Sequence, residues 1–92
     1  MLRDKRRKLR LYMNPLGKVV VATTLEEALD LVKKYNEKKG IRATGAALKY
    51  EVVPDDRDIL VFARYQQSYT NVKASVIAKK MGFGIPNTTE EV

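Results

Sequence analysis

The sequence predicts an α+β domain in which a small antiparallel sheet carries two helices packed on one face. Three observations lead there. "KLRLYM" at 8–13 and "ILVFARY" at 59–65 have the composition and alternation of strands. Two stretches of helical period, one over 24–39 and one ending at Met81, each stop at a glycine, Gly40 and Gly82. A chain of 92 residues with 45% hydrophobic side chains supports one core and no division into smaller domains. The expected organisation is a basic flexible arm at 1–7, a single α+β domain at 8–86 and a frayed acidic tail at 87–92.

The elements follow in order. In "KLRLYM", Leu9, Leu11 and Met13 alternate with Lys8, Arg10 and Tyr12, which predicts a half-buried strand with a basic and aromatic outer face. "NPLG" at 14–17 is turn punctuation, since proline presets φ and glycine accepts a positive one. "KVVVAT" is β-branched and apolar on both parities, which suits a central strand. Thr24 with Glu27 forms a capping box, and Leu25, Ala28, Leu29, Val32 and Tyr35 share one helical face. Glu26 and Glu27 sit at the positive end of that helix's dipole, and Lys38 and Lys39 at the negative end.

"IRATGAALKYEVV" at 41–53 fits either period. A strand beginning near Ala46 is expected, because the turn "PDDRD" and the strand "ILVFARY" after it would complete a hairpin. "QQSYT" at 66–70 reads as a connector, with Thr70 or Asn71 capping a second helix on which Ala74, Ile77, Ala78 and Met81 form the apolar stripe. "FGIP" at 83–86 is a candidate short last strand. The order is then β-β-α-β-β-α with that optional strand, and without the first strand it matches a ferredoxin-like split arrangement. The sheet face away from the helices would carry Arg10, Tyr12, Lys49 and Arg64 for solvent or a ligand.

Chemistry is narrowed by what is missing. Without cysteine there is no disulfide framework and no thiolate zinc site, and a reducing cytoplasm is the expected setting. Without histidine the commonest general base is absent, and neither a phosphate-binding loop nor a dinucleotide fingerprint occurs, so no enzyme, catalytic residue, metal or cofactor is expected. Asp55, Asp56 and Asp58 could hold Mg²⁺, but acids in a hairpin turn serve the turn's own hydrogen bonding first. The apolar run "VVVA" falls far short of the roughly 18 residues that cross a bilayer.

Charge is the informative total. The chain holds 18 Lys and Arg against 11 Asp and Glu, net +7. Arg3, Lys5, Arg6, Arg7, Lys8 and Arg10 stand against Asp4 alone in the first ten residues, so the excess belongs to the N-terminus. That run predicts phosphate contacts, strong at low salt and indifferent to base identity. Arg64, Lys73, Lys79 and Lys80 would add a second surface, and Tyr12, Tyr65 and Tyr69 near arginines invite base stacking.

Two partial resemblances bear on this. "ASVIAKKMGF" at 74–83 resembles the first half of a helix-turn-helix unit, but "GIPNTTEEV" follows where a recognition helix should, so an ordinary amphipathic helix is expected. "ILVFARY" resembles the apolar framework of sheet-binding RNA domains without their glycine-aromatic pattern. The expected function is therefore a small non-enzymatic nucleic-acid-binding protein, RNA or a ribonucleoprotein being favoured slightly over DNA because no complete groove-reading element is present. The alternatives are a homodimer or other assembly docking an acidic partner, and a small metal-dependent or toxin-like nuclease. No membrane partner is expected, since the arm has almost nothing apolar to insert.

Overall fold

β1 (Arg10–Met13) folds back on β2 (Val19–Ala22) as a tight antiparallel hairpin, in a computed structural model that describes residues 8–85. Asn14 makes the turn. Its Oδ1 accepts from the backbone N–H groups of Leu16 and Lys18 at 3.0 and 2.9 Å, and its Nδ2 donates to the carbonyl of Ala47 at 3.1 Å. This is how a buried polar side chain is satisfied, and Gly17 at φ 86° completes the reversal. The other edge of β1 takes β3 (Glu51–Val52), giving the order β2-β1-β3.

α1 (Leu25–Lys39) begins and ends as its sequence predicts. The Thr24 hydroxyl accepts from the Glu27 N–H at 3.1 Å, and the Glu27 carboxylate accepts from the Thr23 N–H and hydroxyl at 2.8 and 2.6 Å. Gly40 closes the helix in the left-handed region at φ 70°. After a 3₁₀ turn at Gly45–Leu48 and the short β3, β4 (Asp58–Ala63) and β5 (Ser68–Lys73) form a separate two-stranded ribbon, paired from Asp58↔Lys73 to Ala63↔Ser68. α2 (Ala74–Met81) follows β5 without a linker, its first N–H groups bonded to the carbonyls of Arg57 and Asp55 at 2.9 and 3.1 Å.

The fold is α+β, as expected, but its helices lie on opposite faces of the three-stranded sheet. Leu11, Val19 and Val21 pack with Val53, Val61 and the α2 residues Ala74, Ile77 and Ala78. Tyr12, Val20 and Ala22 pack with Tyr50 and the α1 residues Ala28 and Val32. The reason is visible in β2, which is apolar at every position and therefore buries both of its faces.

Three further differences concern pairing. Residues 46–53 do not form a strand with 59–65; Tyr50 fills the α1 side of the sheet and Val53 the α2 side, and only Glu51–Val52 extends, against β1. The partner of β4 is β5, so "QQSYT" is half turn and half strand, and the adjacent segment closes the hairpin with the shortest loop. Thr70 and Asn71 lie within β5 and cap nothing, since α2 starts at Ala74 with Lys73 at its N-cap, where no side chain makes a capping bond. "FGIP" contributes one bridge, in which Val21 and Gly84 exchange backbone bonds of 3.0 and 2.9 Å. The arm at 1–7 and the tail at 87–92 lie outside the described residues.

Candidate nucleic-acid interface

The first described residue, Lys8, precedes β1, and its side chain reaches the turn before β4. Its ammonium pairs with the carboxylate of Asp55, and Arg10 Nε stands 3.8 Å from the same carboxylate. Arg10 Nε is otherwise buried without a hydrogen bond among the described residues. The hydrogen bond from Lys8 and the charges of Lys8 and Arg10 hold the Asp55 carboxyl below the usual range, against a smaller opposing effect of desolvation. The backbone of Asp55 meanwhile accepts from Ser75, which ties this turn to the first turn of α2.

That tie brings α2 alongside the start of β1. Between them runs a groove of ≈ 500 Å³ lined by Lys8, Leu9, Ser75, Val76 and Lys79. Its lining joins the apolar Leu9 and Val76 to two lysines and a serine, donors that suit a phosphate diester. Lys80, also exposed, is the neighbouring residue in the last turn of α2. Both lysines favour the negative end of that helix's dipole as well.

The remaining expected contacts are dispersed. Lys73 staples the base of the ribbon, its Nζ 3.1 Å from Asp58 Oδ1 and donating to the Asp56 carbonyl at 3.1 Å. Arg64 is exposed in the turn at the ribbon's far end, about 20 Å along the strands by their usual rise. Tyr12 does not face outward. It is only 5% exposed, packed with Val20, Ala28 and Val32, and burial raises its hydroxyl pKa. The α1 helix covers the face on which the alternation of β1 placed it, so Tyr12 is withdrawn from any stacking role. Arg3, Lys5, Arg6 and Arg7 lie outside the described residues.

Asp55 is the member that sequence reasoning missed. It stands 47 positions from Lys8, and no local pattern announces that a turn aspartate will organise the basic end of a distant strand. With Asp55 held by Lys8 and Arg10, and Asp58 by Lys73, two of the three carboxylates of "PDDRD" serve ion pairs. Among the described residues no group of three or more His, Cys, Asp or Glu side chains is placed to hold a metal ion, and no helix is long and apolar enough to cross a membrane.

Fold and surface together define a small α+β domain with a basic groove at the start of its first strand. No family model matches the chain, and no curated protein or solved structure matches it at a significant level.

Proposed function

We propose that the chain is a small non-enzymatic nucleic-acid-binding protein whose basic N-terminal residues and β1–α2 groove contact phosphates. The observation that supports this most is the position of Lys8. It is the fifth of six basic residues in the first ten, and it shares a groove with Lys79. A polyanion following the run would meet the groove next. Contacts of this kind neutralise phosphates and release counterions without reading bases. RNA or a ribonucleoprotein is preferred over DNA, because no element among the described residues has the shape of a groove-reading helix with its own recognition surface. A cytoplasmic setting belongs to the same proposal, as the chain has no cysteine to cross-link.

The test is binding of a labelled duplex over a range of salt. Arg3, Lys5, Arg6, Arg7 and Lys79 acting together, with Lys8 shared with Asp55, give a log–log slope of about −4 to −5 at some 0.9 per phosphate. A slope near zero, or no binding at about 50 mM salt, where such contacts are strongest, overturns the proposal.

A further inference from the structure

Among the described residues, the β4–β5 ribbon is covered on one face only. Ile59, Val61 and Val72 turn toward the α2 side of the core. The period of two sets Leu60, Phe62, Tyr69 and Asn71 on the other face, where Leu60 pairs with Asn71 and Phe62 with Tyr69. Leu60 is 63% exposed, Tyr69 67%, and Tyr65 in the turn beyond 83%. The rings of Phe62 and Tyr69 meet edge to face, with centroids 5.2 Å apart and planes at 68°. Such a contact orients Tyr69 and occupies at most one of its two flat faces, so the other stays open to a planar partner.

Composition indicates which partner. Residues 59–73 contain no Asp or Glu and hold Arg64 and Lys73, while Gln66, Gln67 and Asn71 supply amides able to meet base edges. Asp58, at the ribbon's base, is already paired with Lys73. A second copy of a chain at net +7 would bring like charges to this face, whereas a polyanion with exposed aromatic rings complements both its charge and its tyrosines. In a duplex the base faces are taken by their neighbours, which leaves unpaired bases as the fitting ligand.

We infer that the outer face of the β4–β5 ribbon is a stacking platform for unpaired bases of single-stranded nucleic acid, with Tyr69 and Tyr65 as the rings and Arg64 as a phosphate contact. The inference rests on the nucleic-acid reading above and adds its substrate form. RNA and DNA share the stacking chemistry, so oligo(U) and oligo(dT) are both used, each about ten nucleotides long to span one small domain.

Anisotropy titrations compare the parent with Tyr65→Ala, Tyr69→Ala and Tyr69→Phe on these strands and on a duplex of equal length. Loss of either ring weakens single-strand binding by about 5- to 150-fold, while duplex binding is unchanged and Tyr69→Phe, which keeps the ring, binds as the parent does. With five tyrosines and no tryptophan, the chain's emission reports tyrosine directly. Bound oligo(U) quenches it, and Tyr69→Phe shows a smaller quench at the same affinity. Unchanged single-strand affinity in both alanine variants overturns the inference and leaves the duplex reading standing. So does sedimentation of the parent as a dimer that Tyr69→Ala dissociates, since the face is then a self-association surface. A parent that binds neither strands nor duplex overturns both readings.

Discussion

Asp55→Asn separates the two roles that its carboxylate combines. The change keeps the side chain's shape and leaves the backbone bond to Ser75 in place, but removes the charge that faces Lys8 and Arg10. In the parent a phosphate in the groove competes with Asp55 for Lys8, and Arg10 beside the groove faces the same carboxylate; in the variant neither cation is shared. Two more contacts at some 0.9 each steepen the log–log salt slope by up to about 1.8. The variant therefore binds duplex more tightly, and its advantage shrinks roughly tenfold between about 50 and 200 mM salt. Parallel anisotropy titrations read both quantities, and equal slopes with equal or weaker binding would refute the reasoning. Stability moves the other way. Because folding lowers the Asp55 carboxyl pKa, its contribution is present above the ordinary carboxylate value of about 4 and is lost as pH falls through the lowered one. Urea midpoints at neutral pH should place the variant below the parent, and the two should converge on acidification; a constant gap would contradict the ion pair.

Leu11 is fully buried on the α2 side of the sheet, and Leu11→Ala should cost about 2–5 kcal/mol in urea unfolding through lost transfer and a residual cavity. A cost below about 1 kcal/mol would mean that this side collapses freely. Asn14→Ala removes the acceptor of two backbone donors and the donor to Ala47, so a loss of at least about 1–3 kcal/mol is expected by the same measurement. A near-neutral result would indicate that water replaces all three bonds.

Local chemistry was legible and docking was not. The capping box at Thr24 and the left-handed Gly40 are contacts within a few residues, and both bounds of α1 follow from them. The sequence does not announce the ribbon, because "RYQQ" reverses the chain without Gly, Pro or Asn; Gln67 takes φ 51° in their place. The burial of Tyr12 is hidden because alternation in β1 tells which residues share a face but not which face is covered. The clue lay in β2, whose four apolar residues imply cover on both sides, and Tyr12 stands directly opposite Val20 there. Within the candidate site, the basic residues could be named from composition alone. That Lys8 pairs with Asp55 and lines one groove with Lys79, while Arg64 lies at the ribbon's far end, depends on tertiary contacts between segments far apart in the chain.

The central claim is that the basic start of the chain carries phosphate binding, and deletion of residues 1–8 tests it most directly. β1 begins at Arg10 and its inward Leu9 is retained, so circular dichroism should show the same fold. At low salt the shortened chain should lose most of its affinity for duplex, and its salt slope should flatten by about 4, since five basic residues leave with the segment. Equal affinity and equal slope in the folded, shortened chain would contradict the account.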